Sequence, residues 1–149
     1  MTTITGSVLD AYLEGFHSVI PVNCIGVAGK GLALEWAKKY PADCELYKEM
    51  CWHGSLHIGD VKPLRDTRWL MAATKSSWRY FSTPASVEAC LWDVFTHAHY
   101  NPTWNIAMPA LGCGCGALDE KWFIETAGRI LALTPNVTLY LYRPHGQPA

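Results

Sequence analysis

At 149 residues the chain has room for one well-cored domain, burying about two-thirds of the surface its unfolded form exposes, and is short for two. Half of its residues are hydrophobic and 17% are charged, a balance that excludes long disordered stretches. The formal net charge is -1, so the chain as a whole has no general attraction for polyanions, and it contains no run of ~20 apolar residues that could cross a membrane.

The opening "MTTITGSVLDAY" has neither a basic region nor a long apolar one, so no signal peptide is expected and the location expected is cytoplasmic. A first short β run is "TTIT", residues 2–5, and a second is "SVIPV", residues 18–22. The second ends at Asn23 and is followed by Gly26, Gly29 and Gly31, three glycines in six residues, before the helical stretch "GLALEWAKKY" (31–40). Such glycines permit positive φ and close backbone approach, and the helix start behind them points its N–H groups at the same spot, an arrangement that receives an anion. The pattern is not a P-loop, since Leu32 stands where Ser or Thr would hold magnesium, and it is not G-x-G-x-x-G. The plainer use of the three glycines is a tight strand-to-helix turn.

Next come a helical stretch, "ADCELYKEMCW" (42–52), and two β-type runs, "SLHIG" (55–59) and "RWLMAA" (68–73). The last of these delivers Lys75. A lysine at the mouth of an apolar strand loses part of its water, and desolvation favours the neutral amine, which is the nucleophile; the plainer reading is a solvated surface lysine. Between Lys62 and Arg79 five basic residues stand against the single acid Asp66, a net +4 over eighteen residues, with Trp69, Trp78 and Tyr80 close among them. Ser82, Thr83 and Ser86 are candidate caps for the helix "SVEACLWDVFTHAH" (86–99).

The β run "WNIAMP" (104–109) leads into a second glycine loop, "PALGCGCGALDE", in which Gly112, Gly114 and Gly116 alternate with cysteines. A helix follows over "DEKWFIETAGRILAL" (119–133), with Trp122, Phe123, Thr126, Ile130 and Leu133 at near-helical spacing, Asp119 placed to cap it and Glu120 in its first turn. The last strand is "VTLYLY" (137–142), which closes a domain spanning 1–142, and "RPHGQPA" (143–149) reads as a loose tail. Strands alternating with helices predict a mostly parallel sheet covered on both faces, with ligands bound beyond the carboxyl ends of the strands. Two glycine loops, each after a buried strand, would clasp an extended diphosphate between two walls of backbone amides.

Six cysteines could form three bridges, but a chain with a core of its own has little need of staples, and free thiols are expected. The spacing in "GCGCG" is C-x-C rather than the C-x2-C of structural zinc sites, and no histidine stands at a matching offset, so no metal is expected.

Taken together, the loops resemble the macro domain, the ADP-ribose-binding module. "VNCIGVAGKGLALEWAKKYP" is similar to the family's V-N-x-x-G-x-x-G-x-G-[IL]-A pattern, and "MPALGCGCGALDEKWF" to its P-x-[IL]-G-[CT]-G-x-x-G loop. "ATKSSWRYFSTPASVEACL" resembles the subclass that removes ADP-ribose directly from a modified target, which includes the terminal ADP-ribose glycohydrolase and the antitoxin acting on thymidine in DNA. The resemblance implies a three-layer α/β/α fold with a mixed, mostly parallel central sheet of about six strands. It implies a catalytic role for Lys75, and for Asn23 contact with the distal ribose. It places ADP-ribose against Ser7, Val8, Cys24, Gly26, Val27, Gly29, Lys30 and Gly31 on one side and Leu111, Gly112, Cys113, Gly114, Cys115 and Gly116 on the other, with Tyr142 near the base.

The implied activity is an ADP-ribosyl hydrolase without a cofactor, acting on ADP-ribosylated nucleic acid or protein carboxylates, with no membrane partner and as a monomer. An amine at the anomeric carbon can capture it covalently as the glycosidic bond breaks, while the asparagine orients ribose hydroxyls. The alternatives are an ADP-ribose-1''-phosphate phosphatase and a non-catalytic reader of ADP-ribose. The sequence departs from the family at two places. Ser7 stands where an acid binds the adenine amino group, with Asp10 three residues on, and Gly116 stands where the glycohydrolase carries an assisting aspartate, with Asp119 three residues on. Tyr140, Tyr142 and Arg143 are candidates to stack on the base. The basic, aromatic strip around Lys75 fits a nucleotide-bearing target or, more plainly, core tryptophans under a solvated face.

Overall fold

The computed structural model describes residues 1–134 and 136–144. Among them the elements succeed one another as β1 (Thr2–Thr5), α1 (Val8–Leu13), β2 (His17–Asn23), α2 (Gly31–Lys39), α3 (Pro41–Trp52), β3 (Val61–Pro63), β4 (Trp69–Lys75), α4 (Pro84–Tyr100), β5 (Ile106–Met108), α5 (Glu120–Leu133) and β6 (Leu139–Arg143). The strands form one sheet in the order β1-β6-β5-β2-β4-β3, parallel throughout except for β3, which runs antiparallel to β4. This is the mixed, mostly parallel sheet that the alternation of strands and helices predicts.

Period-two alternation along β4 shows why the sheet carries a layer on each face. Trp69, Met71 and Ala73 pack with Trp36, Cys44 and Tyr47 of α2 and α3, together with Val8, Leu9 and Ala11 of α1. Leu70 and Ala72 pack on the other side with Val87, Leu91 and Val94 of α4 and Phe123, Ala127 and Ile130 of α5. Both faces are therefore apolar, as a parallel sheet requires. Among the described residues no helix is long and apolar enough to cross a membrane.

Three features differ from the sequence expectations. Residues 55–59 are a turn rather than a strand: the Asp60 carboxylate accepts from the His57 amide at 3.0 Å, Gly59 has φ +90°, and the chain joins the sheet only at Val61. The apolar signal there came from Leu56, which is a buried plug rather than a strand residue. The short helix α1 had no sequence signal of its own, because six residues are too few to show a helical period; the Ser7 hydroxyl caps it by accepting from the Leu9 amide. Strand β6 runs one residue past the expected domain end, through Arg143, and residues 145–149 of the expected tail lie outside the described residues.

The basic, aromatic strip is also divided. Arg65 and Arg68 precede β4, whereas Lys75 ends it about 20 Å away at the strand's rise of ~3.3 Å per residue. Arg68 lies over the Tyr12 ring and donates to the carbonyls of Phe16 and Tyr12. Trp69 is wholly buried, stacked on Tyr12, and donates through Nε1 to Asp43 at 2.9 Å. Half of the strip is thus structural, as its plainer reading held. Lys75, Trp78, Arg79 and Tyr80 remain at the carboxyl end.

Candidate functional site

Connections leave the sheet toward opposite faces at one place. The chain after β2 enters α2 on one side, the chain after β5 enters α5 on the other, and β2 and β5 are neighbours, paired at His17↔Ile106 and Ser18↔Ala107. A crevice opens beyond the carboxyl ends of strands where the connections diverge in this way. The two glycine loops, 24–30 and 109–118, are its walls. They meet: a Cβ added to Gly31 would stand 3.1 Å from the Cys115 sulfur.

The first wall is held by Asn23, which is 3% exposed and ends β2. Its Nδ2 donates to the Val27 carbonyl at 2.8 Å, and its Oδ1 accepts from the amides of Ile25 and Val27 and from the Tyr47 hydroxyl at 3.0 Å. The Tyr47 hydroxyl also donates to the Asn23 carbonyl at 2.7 Å. One side-chain amide therefore shapes the loop that follows it. Behind the loop, α2 begins at Gly31 with no side chain capping its first turn, while Ser7, Thr83 and Asp119 cap α1, α4 and α5. The first amides of α2 face the crevice without a protein oxygen supplied by a cap, which suits an anion.

The second wall is packed too closely for side chains. A Cβ on Gly116 would fall on the Gly112 carbonyl oxygen and stand 2.6 Å from the Ser82 hydroxyl. No acid fits at this position as the loop stands, which is the physical content of the sequence's departure there. Asp119 does not take over the role by default: it is exposed and its carboxylate caps α5 by accepting from the Lys121 amide at 3.2 Å. At Gly114 a Cβ would meet nothing within 4 Å, so this glycine borders open space.

Lys75 stands beside the first wall. A slip in the pairing of β2 with β4 leaves Thr74 as an extra residue and brings Lys75 level with Asn23. The Ser86 hydroxyl holds that slip by donating to the Thr74 carbonyl at 2.6 Å, from the first turn of α4, where Ser86 forms a reciprocal capping box with Thr83. The carbonyl of Ser76 then accepts from the Cys24 amide at 3.2 Å and ties the lysine's strand end to the first wall. The lysine itself is half-buried.

Two of the thiols near the crevice, Cys24 and Cys113, are poor nucleophiles. Burial, with Cys51 and Asp60 adding to it, pushes Cys24 up, and burial with Glu120 and Asp119 pushes Cys113 up to about 11. Burial likewise raises the Tyr47 hydroxyl, which stays a neutral donor to Asn23. Among the described residues no three His, Cys, Asp or Glu side chains come together as a metal ion would require.

Other expected contacts lie further off or are turned inward. Ser7 and Val8 follow β1, three strand spacings from β2, about 14 Å. The Ser7 hydroxyl is occupied as a cap, Val8 and Leu111 are buried, and Asp10 is exposed on α1. Tyr142 is 7% exposed and packs edge-on to Phe16 beneath Gly6, so it offers a base little free ring face. Arg143 is paired with Glu120 at 2.6 Å. Cys24, Val27, Gly29 and Lys30 lie in the first wall, and Cys113 in the second. Sequence reasoning passed over Tyr47, since nothing in α3 announces a partner twenty-four residues earlier, and gave Ser82 only as a possible helix cap. Thr83 is the cap; Ser82 is instead buried against the second wall, its hydroxyl without a hydrogen-bond partner among the described residues.

An α/β domain that presents two abutting backbone walls and an uncapped helix start at its sheet's switch point belongs to the class that holds an extended anionic ligand beyond its strands. Residues 19–127 match the model of the macro domain, and the chain belongs to that family. It is 30% identical over 151 residues to a DNA ADP-ribosyl glycohydrolase of Thermus aquaticus, covering 97% of this chain and 41% of the relative. It is 31% identical over 148 residues to one of Mycobacterium tuberculosis, covering 95% and 42%. The chain thus spans about two-fifths of the length of these relatives. Among solved structures, the macrodomain of Mycobacterium tuberculosis DarG superposes with a TM-score of 0.83 at 29% identity, over 96% of this chain and 97% of that one. Thermosipho africanus DarTG in complex with ADP-ribose gives 0.81 at 22% identity, over 99% and 42%, and supports the fold.

Proposed function

We propose that this protein binds ADP-ribose in the crevice between its glycine loops and hydrolyses the glycosidic bond joining ADP-ribose to a nucleobase of DNA. The observation that carries the reading is the pairing of Asn23 with Lys75 at the carboxyl ends of adjacent strands, Asn23 holding the first of the two glycine walls. The two relatives named as DNA ADP-ribosyl glycohydrolases support the substrate.

In this reading the diphosphate runs along Gly112–Gly116 and the first amides of α2, and the distal ribose extends toward Lys75. Asn23 acts by holding the first wall in shape around that ribose. The Lys75 amine attacks the anomeric carbon as the bond to the base breaks with its electron pair leaving on the base. Water then releases ADP-ribose and returns the amine. The place of Lys75 at the strand end, level with Asn23, supports the lysine as the nucleophile. The adenine end reaches toward Ser7 and β6.

The test is release of free ADP-ribose from three substrates: an oligonucleotide ADP-ribosylated on thymidine, a protein ADP-ribosylated on glutamate, and ADP-ribose-1''-phosphate. Release from the oligonucleotide is expected. Phosphate release from the third substrate alone would make the protein a phosphatase, and ADP-ribose binding with all three substrates left intact would make it a reader.

A further inference from the structure

Eight residues, 76–83, join β4 to α4, and they carry three aromatics within four residues that the fold leaves uncovered. Trp78 is 51% exposed, Tyr80 63% and Phe81 73%. The segment is nonetheless held at both ends. Ser76 is bonded to Cys24 of the first wall, Ser82 is buried against Gly112 and Gly116 of the second, and Thr83 caps α4. Between these anchors Ser77 accepts from Tyr80 through its carbonyl at 3.2 Å and from Arg79 through its hydroxyl at 3.3 Å, making a turn. The Arg79 guanidinium lies 5.2 Å from the centre of the Trp78 ring. No acid occurs between Asp66 and Glu88.

Three exposed rings within four residues of one anchored segment make a cluster of the kind that marks a contact surface, where single exposed rings would not. A cation lying against a ring, with no carboxylate in the stretch, suits a partner that alternates flat faces with negative charge. Nucleobases supply the faces and phosphates the charge. The stacked bases of a duplex have no free faces to offer, so the partner is single-stranded. The segment begins at the residue after Lys75, where a base joined to ADP-ribose would emerge from the crevice. We propose that Trp78, Arg79, Tyr80 and Phe81 form a platform for the nucleotides flanking the modified base in single-stranded DNA, with the rings stacking on bases and Arg79 on a phosphate. This rests on the DNA-directed reading given above.

Two measurements test it on the full chain, with the triple variant Trp78→Ala/Tyr80→Ala/Phe81→Ala and with Arg79→Gln, all at exposed positions. The first is binding of unmodified single-stranded oligothymidine by fluorescence anisotropy at two salt concentrations. The wild type is expected to bind in a salt-dependent way, and the triple variant about tenfold or more weaker, given that each stacked base is worth about 5- to 150-fold. The second is hydrolysis of an ADP-ribosylated oligonucleotide against ADP-ribosylated thymidine alone. KM for the oligonucleotide should rise about tenfold or more in the triple variant with kcat/KM for the nucleoside unchanged. Equal handling of the oligonucleotide by wild type and variant overturns the platform, as does an equal loss on ADP-ribosylated thymidine alone. Oligothymidine binding by a wild type inert toward both substrates would overturn the hydrolase and leave the platform standing.

Discussion

Replacing Asn23 by alanine removes the side chain that shapes the first wall, and the structure sets the cost. Three backbone groups lose their partner: the Val27 carbonyl and the amides of Ile25 and Val27. The Tyr47 hydroxyl keeps its bond to the Asn23 carbonyl and so is not left orphaned. At about 1 kcal/mol for each partly buried hydrogen bond, Asn23→Ala should destabilise the fold by about 3 kcal/mol. For a domain of this size that lowers Tm by about 6–12 °C. Urea denaturation followed by tryptophan fluorescence should show an earlier midpoint with an unchanged slope, and calorimetry should show weakened ADP-ribose binding. Asn23→Asp keeps the acceptor for the two amides but sets a carboxylate against the Val27 carbonyl, so it should fall between wild type and alanine in stability. A loss below about 1 kcal/mol in Asn23→Ala with ADP-ribose binding intact would refute the view that this amide holds the wall.

The two glycines of the second wall should respond in opposite ways. Gly114→Ala meets no protein atom within 4 Å, so thermal stability should stay within about 0.5 kcal/mol of wild type while the Kd for ADP-ribose rises about tenfold by calorimetry. Gly116→Ala collides with the Gly112 carbonyl and the Ser82 hydroxyl and should cost about 1–3 kcal/mol by thermal denaturation, whether or not ligand is present. Cys115 is exposed and touches the first wall at Gly31, so saturating ADP-ribose should slow its alkylation by iodoacetamide, followed by peptide mass mapping. Burial, with the Arg68 guanidinium adding to it, holds His17 below the ordinary histidine value of 6.5. The unfolded chain therefore takes up that proton first: the stability concerned is complete above about pH 6.5 and is lost as pH falls below it. Denaturation midpoints measured between about pH 7 and pH 5 should accordingly fall less in His17→Gln than in wild type.

The alternation of apolar runs with helical periods made the layered sheet readable, and the residues after Val22 and Met108 marked the two walls because glycines there had no role in either neighbouring element. Lys75 was legible for the same reason, as a charge directly after an apolar strand. What the sequence could not show was pairing across distance. Nothing in "VNC" and "ATK" says that a slip at Thr74 brings Asn23 level with Lys75, and nothing in α3 says that Tyr47 reaches back to Asn23. Linear charge counting misled for a similar reason: β4 carries its two ends about 20 Å apart, so a strip that is continuous in sequence becomes two groups in space. The antiparallel edge strand β3 was displaced from its expected place because a buried leucine and an Asp60-capped turn imitate a strand's composition.

The most direct test of the central claim compares wild type, Lys75→Ala and Lys75→Arg on one substrate, a single-stranded oligonucleotide ADP-ribosylated on thymidine, with ADP-ribose binding measured alongside. Release by the wild type is expected, with a loss of about a hundredfold or more in both variants, arginine keeping the charge but not the nucleophilic amine, and with binding held within about threefold. Release by folded Lys75→Ala at the wild-type rate would contradict it.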